Sequence, residues 1–333
     1  MNLQSWSYAC SEGFTLRGWH TPPSGKPLLH FLHGNGFCGR AYEPMMQHLA
    51  EHFAAQGYSF FALDLRKCGR SRAPGHTPHF VTDLQFYDRE LDEALRLVRE
   101  QIGGGQVLLV AHSTGGLILP LWLDRLERRP GGSAGAGVAG LILNSPWFDL
   151  QGPPLLRSAG TTAAIDALGR VSGKTPVPGQ KLDTYGVSLH VGANGEWEYD
   201  LEWKPLTGFP VTFGWLRAIR RGHARLHRGL DIGVPSLILR SKRTVFASRY
   251  NPDVDAADAV LDVDQIARWA GCLGNRTTIV PIDGARHDVF LSTAKPLAAA
   301  FTEVDLWLDW LHAHHLDDRT TTPTDRDEAG ATA

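Results

Sequence analysis

The chain predicts an α/β protein: a mostly parallel central sheet with helices on both faces and an inserted cap. Two observations carry that expectation. Short apolar runs recur between segments of helical spacing, as at 28–33, 58–65, 107–111 and 140–144. Those runs are apolar almost throughout rather than alternating, which is how strands read when both faces of a sheet are covered. A third observation places the cap, because the rhythm stops near residue 147 and resumes near 233.

In chain order, WSYACSEGFTLRGWHTPP alternates around Glu12-Gly13 and predicts a β-hairpin ended by prolines. LLHFLH (28–33) is a short strand running into Gly34-Asn35-Gly36, residues 41–56 have helical spacing, and YSFFALDL (58–65) is a buried strand. After the loop RKCGRSRAPGHTP, residues 82–102 form an amphipathic helix, with Leu84, Tyr87, Leu91, Leu95 and Val98 at steps of three and four. VLLVA (107–111), a helix over 114–128 and GLILN (140–144) follow. Residues 147–232 are rich in glycine and proline, with Trp197, Trp203, Trp215 and the basic run 217–228. Alternation resumes with SLILR (236–240), a helix near 262–273, TTIVPI (277–282) and a long amphipathic helix near 293–314. The expected division is a core of 1–146 and 233–316, a cap of 147–232 and a polar, disordered tail of 317–333.

Composition narrows the function classes. The 333 residues are 43% hydrophobic and 20% charged, with a formal net charge of -2, so nothing favours nucleic acid or an anionic membrane as partner. Cys10, Cys38, Cys68 and Cys272 are far apart without a CxxC pair, which reads as free thiols or small buried hydrophobes. No apolar run approaches the roughly 20 residues of a spanning helix. The first ten residues lack the basic start and apolar stretch of a secretory signal. A cytoplasmic, soluble protein without an integral membrane segment is expected.

The chemistry starts at VLLVAHSTGG (107–116), where an apolar strand stops at a histidine, a serine and paired glycines. A sharp strand-turn-helix connection lifts the residue at its apex above the sheet edge, and small residues must flank it. That is the nucleophile-elbow pattern G-x-S-x-G. Here it reads Ala111-His112-Ser113-Thr114-Gly115, with alanine for the first glycine. A serine that merely caps the next helix is the competing reading, and chain order decides between them.

An activated serine needs a base, an orienting acid and donors for an oxyanion. His287 lies in DGARHDVF (283–290), just past the last strand. The loop after SLILR offers Asp253, Asp255, Asp258, Asp262 and Asp264. Asp262 reads as a helix cap with Gln265 three residues on, and Asp264 suits that helix's first turn. Asp258 has no such structural task and is the chosen acid, with Asp255 second and Asp149 a remote third. The Thr114 amide is one expected oxyanion donor. The other comes from HGNGF (33–37), with Asn35 preferred and Phe37 as fallback. Gly34 and Gly36 make a poor phosphate loop, because no GK[ST] follows and a third glycine is lacking. Phe37, His112, Trp147 and Phe148 are candidates to line a substrate pocket, against a reading of the aromatics as packing alone. The basic run reads as a solvated helix face rather than a head-group site.

Taken together, HGNG, DLRKCGRS, AHSTGG, DAVLDVDQIARWA and GARHDVF resemble the α/β-hydrolase superfamily, and within it the monoacylglycerol lipase-like and lysophospholipase-like serine hydrolases. The resemblance implies a Ser113–His287–Asp258 triad, because the first aspartate of the pattern D-x-V-V/L-D is the acid there. It also implies amide donors at Asn35 and Thr114, and a structural loop at Asp64, Arg66, Gly69 and Ser71. The expected reaction is two-step acyl transfer from a small-molecule carboxylic ester, acylglycerol or lysophospholipid in type, with no metal or organic cofactor. Two features depart from the pattern: the acid loop is long between Arg240 and Asp258, and the first 55 residues or so resemble another branch of the superfamily, as in a hybrid chain. The alternatives are an amidase or peptidase using the same residues, and a ligand-binding protein on the same fold. A dehalogenase-type enzyme would need a carboxylate where Ser113 stands.

Overall fold

The computed structural model describes residues 4–9, 15–21, 28–32, 43–101, 105–178 and 183–316. Among the described residues eight strands form one open sheet in the order β1-β2-β4-β3-β5-β6-β7-β8. They are β1 Gln4–Ala9, β2 Thr15–His20, β3 Leu28–Leu32, β4 Phe60–Asp64, β5 Val107–His112, β6 Val138–Asn144, β7 Ser236–Ser241 and β8 Thr277–Ile282. β1 and β2 pair antiparallel, as the hairpin reading requires, and β2 runs antiparallel to β4. Every later pairing is parallel. From β3 the chain turns one way to β4 and the other way to β5, so the strand order reverses there, and ligands of open α/β sheets bind beside such a reversal. Ser113 stands immediately after β5.

Among the described residues nine α-helices complete the layers: α1 Glu43–Ala55, α2 Asp88–Gln101, α3 Gly115–Glu127, α4 Gly132–Gly135, α5 Ala159–Val171, α6 Asp183–Leu189, α7 Phe213–Leu226, α8 Val263–Trp269 and α9 Ala294–Leu311. Every residue of β4, β5 and β6 is buried, which is what their unbroken apolar runs demand. β8 is the sheet's edge and only partly buried, so Pro281 is tolerated there without an amide hydrogen. α9 packs tightly on β6, and a Cβ added at Gly140 would come within 2.8 Å of Trp307. The helix read over 82–102 begins as a 3₁₀ turn, Leu84–Tyr87, capped by the Asp83 carboxylate, before α2 proper.

The loop after β4 is held by its own polar groups. The Ser71 hydroxyl donates to the Asp64 carbonyl (2.7 Å), the Arg70 amide to the Asp64 carboxylate (3.2 Å), and Arg66 binds buried Glu90. Gly69 has φ 44°, a left-handed conformation that favours glycine.

Between β6 and β7 the chain forms α5, α6 and α7 with isolated bridges at Pro176–Thr212 and His190–Trp197. The missing strand rhythm therefore reflects a helical insertion. Its basic run differs from the solvated face expected of it. On α7, Arg217 binds Asp166 of α5 (2.6 Å), Arg220 binds Asp149 (2.8 Å) and Arg225 binds Asp124 of α3 (2.7 Å). The charges fasten the insertion to itself and to the sheet layers. Cys68 and Cys272 are not joined to each other, and Cys68 is buried with its Sγ 3.1 Å from His79 Nδ1; Cys10, Cys38 and the tail at 317–333 lie outside the described residues. No described helix is long and apolar enough to cross a membrane.

Candidate active site

β5 ends at His112, and Ser113 then takes φ 52°, a left-handed conformation that a non-glycine residue rarely adopts. The turn is fixed on both sides. The Ser113 amide donates to the Asn144 carbonyl (3.0 Å), while its own carbonyl accepts from Gly116 (2.9 Å) and Trp147 (3.0 Å). α3 begins at once, with Thr114 (φ −61°, ψ −33°) at its N-cap. Gly116 is where small size is required: a Cβ there would lie 2.5 Å from Pro146 Cβ and 2.8 Å from its Cα. The close approach is to the turn after β6. That turn is itself left-handed at Ser145 (φ 44°), whose amide is tied to the Leu239 carbonyl of β7 (2.8 Å).

The Ser113 hydroxyl lies 3.1 Å from His287 Nε2, and His287 Nδ1 lies 2.9 Å from Asp258 Oδ2. A carboxylate only accepts, so Nδ1 carries the proton and Nε2 is left to accept from the serine. All three side chains are buried. Asp258 is held from every side. Its Oδ1 accepts from the Val260 (2.8 Å) and Leu261 (2.7 Å) amides, and its backbone bridges Thr244 in the loop after β7. The other aspartates are engaged elsewhere. Asp255 accepts from Arg286 (3.0 Å) and Tyr250 (2.7 Å), Asp149 from Arg220, and Asp253 from Arg243. Asp262 caps α8 by accepting from the Asp264 amide (3.0 Å), but Gln265 does not close a reciprocal box, since its Oε1 has no partner.

Three residues that sequence reasoning passed over organise the site. Asn144, the last residue of β6, donates through Nδ2 to Asp288 (2.6 Å) and accepts at Oδ1 from the Val289 amide (3.0 Å). Its carbonyl accepts from the Ser113 amide and from His112 Nδ1 (3.1 Å). One side chain and its backbone thus lock the serine turn to the histidine loop. Asp288 also caps the following 3₁₀ turn by accepting from the Phe290 amide (3.1 Å). Tyr185 of α6 sets its ring edge-on against His287 at 5.4 Å. A sequence signal existed only for Asn144 and Asp288, each adjacent to a motif.

Of the remaining candidates, His112 packs its ring 4.7 Å from that of His287. Burial above all, with lesser lowering from the neighbouring His287 and Lys204, pushes its pKa down to about 4 despite Asp288 nearby, so it stays neutral. Trp147 and Phe148 are buried in the core, and Trp147 packs on Trp215 at 5.6 Å. The carbonyls of Trp147 and Phe148 accept from His223 (3.0 Å) and His227 (2.8 Å), which pins the start of the insertion to its last helix. Asn35 and Phe37 lie outside the described residues.

A family model described as serine aminopeptidase, S33 (Hydrolase_4) matches residues 24–292. Two curated proteins match over shorter stretches. The uncharacterized protein YnbC of Escherichia coli (strain K12) is 28% identical over 133 residues, 39% of this chain and 20% of that protein. A putative non-heme haloperoxidase of Mycobacterium phage D29 is 37% identical over 108 residues, 30% of this chain and 36% of that protein. The chain therefore spans well under half the length of these relatives. Among solved structures, a soluble variant of monoglyceride lipase from Saccharomyces cerevisiae, in complex with a substrate analog, superposes with a TM-score of 0.65 at 17% identity, over 93% of this chain and 95% of that one. The monoacylglycerol lipase of Paleococcus ferrophilus gives 0.60 at 16%, over 94% and 100%. At these identities the likeness is one of fold.

Two outcomes follow from this geometry. Asn144→Ala removes the donor to a buried carboxylate and is expected to cost about 3 kcal/mol in denaturant unfolding; an unchanged midpoint would contradict the locking role. Acid should also weaken the fold before most carboxylates titrate. Burial holds His79 down to about 3, His112 to about 4 and His223 well below its ordinary value. The unfolded chain therefore binds protons first as pH falls below the ordinary histidine range, and unfolding free energy drops by up to about 1.4 kcal/mol per pH unit for each. Stability that is flat from about pH 6.5 to 5 would refute this.

Proposed function

Since the chain belongs to the serine aminopeptidase S33 (Hydrolase_4) family and has the α/β-hydrolase fold, we propose that it is a serine hydrolase cleaving carboxylic esters, with Ser113 as nucleophile, His287 as base and Asp258 as orienting acid. The observation that carries this reading is the continuous hydroxyl–imidazole–carboxylate line, with links of 3.1 and 2.9 Å.

In the proposed reaction Ser113 Oγ attacks the ester carbonyl while His287 Nε2 takes the hydroxyl proton, and Asp258 holds the imidazolium that forms. Collapse of the tetrahedral intermediate expels the alcohol, which receives that proton. Water then enters by the same route and releases the acid. The Thr114 amide, at the start of α3 where first-turn amides have no helical acceptor, meets the oxyanion. Asn35 is the second donor in this reading, with Phe37 in reserve, and each donor contributes a factor of about 10² to 10³. His112 serves as a neutral wall behind the base. Residues 147–232 form a cap over this end of the sheet, with Trp147 and Phe148 backing its acyl side. The monoglyceride and monoacylglycerol lipase neighbours support acylglycerols as substrates, and lysophospholipids are the related class in this reading. The second reading, hydrolysis of an amide or peptide, is favoured by the family's own description.

An ester series of rising acyl length, with one matched anilide, separates the two readings. Ester turnover should exceed anilide turnover, fall on the order of 10⁴-fold or more in Ser113→Ala, and fall about 10⁴-fold in Asp258→Asn. Equal rates in wild type and Ser113→Ala would remove the serine mechanism, and faster anilide cleavage would select the peptidase reading.

A further inference from the structure

The loops that bring His287 to Asp258 are joined a second time, by a charged pair. Arg286, the residue before His287, donates through Nη2 to Asp255 Oδ1 (3.0 Å), three residues ahead of Asp258. The Arg286 side chain is 2% exposed and that of Asp255 23%, so the pair is mostly withdrawn from water. The other Asp255 oxygen accepts from the Tyr250 hydroxyl (2.7 Å). Asp255 lies in a 3₁₀ turn, Pro252–Ala256, whose start is capped by the Asn251 side chain accepting from the Asp253 amide (2.9 Å). The long stretch between Arg240 and Asp258 thus supplies a fixed anchor as well as the acid. Glu196 also approaches the guanidinium, at 3.9 Å, but it is well exposed and counts for little.

Arg286 also closes the loop that carries the base. Its amide donates to the Ser292 hydroxyl (2.9 Å) and its Nη1 to the Leu291 carbonyl (2.9 Å). His287 therefore sits in a short span that one residue ties at both ends. The same Leu291 carbonyl accepts from Trp197 Nε1 of the insertion (3.2 Å). Acid loop, base loop and insertion meet around one guanidinium.

Stability alone does not explain this pair. Arg286 Nε finds no acceptor among the described residues, and a buried ion pair with a donor left unspent recovers its desolvation cost incompletely. Apolar side chains of similar volume would fill the same space at less cost. What the pair does supply is a fixed separation between two loops. The bond from His287 Nδ1 to Asp258 must persist while the imidazole takes up and returns a proton, and a misplacement of about 1 Å can cost on the order of 10²-fold in rate. We propose that Arg286, anchored by Asp255, is a positioning residue that holds His287 against Asp258 through turnover. The proposal rests on the reading of Ser113, His287 and Asp258 as the hydrolytic triad. The competing role is a staple that only stabilises the two loops.

Turnover of 4-nitrophenyl butanoate, normalised to serine titrated with a fluorophosphonate, decides between them. In Arg286→Met and in Asp255→Ala, kcat per titrated site should fall about 30-fold or more while KM stays within about threefold. The double variant should lose no more than the worse single one, because both changes break one clamp. Arg286→Lys keeps a cation for Asp255 and should retain more activity than Arg286→Met, whereas a packing role would rank methionine at or above lysine. The proton NMR signal of His287 Nδ1–H, set by its charge-assisted bond to Asp258, should move or broaden in Arg286→Met. A kcat per titrated site within about threefold of wild type, or an unmoved Nδ1 proton in the folded variant, would overturn the proposal. If Arg286→Met does not fold, the double variant, which leaves no buried charge unpaired, carries the same decision. Hydrolysis that survives Ser113→Ala would instead defeat the serine mechanism, which separates the two failures.

Discussion

Ser113 holds a backbone conformation that costs an L-residue of order 1–3 kcal/mol, and much of the surrounding structure serves to keep it there. Its amide is spent on Asn144 and its carbonyl on Gly116 and Trp147, so relaxing the turn would strand buried polar groups. Pro146 closes over Gly116 and leaves no room for a side chain. The strain lifts one hydroxyl off the end of β5, beside the reversal of strand order. A relaxed turn would lay the serine along α3 as an ordinary cap.

The other two side chains reach the same edge from β7 and β8, and the sheet's parallel register is what aligns them. β6 is the keystone, since Asn144 at its tip binds the β5 turn with its backbone and the β8 loop with its side chain. Asp258 is carried on a loop bridged to Thr244, next to β7, with both carboxylate oxygens occupied. Such a network is costly when partly satisfied and rigid when complete. Here the hydrogen bonds that hold the loops also set the tautomer of His287.

How far the sequence could be read follows from how local each signal is. β4, β5 and β6 were legible because a strand covered on both faces needs an unbroken apolar run. The serine turn was legible because sterics demand small residues at fixed offsets. Asp258 could be separated from its neighbours because Asp262 showed a capping position, and Asp262 does cap α8. The helices of the insertion were not legible. α5 (AGTTAAIDALGRV) is rich in glycine and threonine, and α6 has only seven residues, so neither shows a clear apolar stripe. Asn144 and Asp288 escaped because their joint task exists only once residues 144 positions apart meet. Tyr185 escaped for the same reason.

The segment between β6 and β7 also packs on these residues: Tyr185 lies edge-on to His287, and Arg220 and His223 of α7, with His227 just after it, hold the residues that follow Ser145. Reading the molecule as a hydrolase thus requires a reactive hydroxyl at the base of a helical cover. Reaction with a fluorophosphonate, followed by peptide mass mapping, tests this most directly. A single adduct is expected, on Ser113, and its formation requires the imidazole of His287. An adduct on a different hydroxyl, or labelling of Ser113 at full rate without that imidazole, would contradict it.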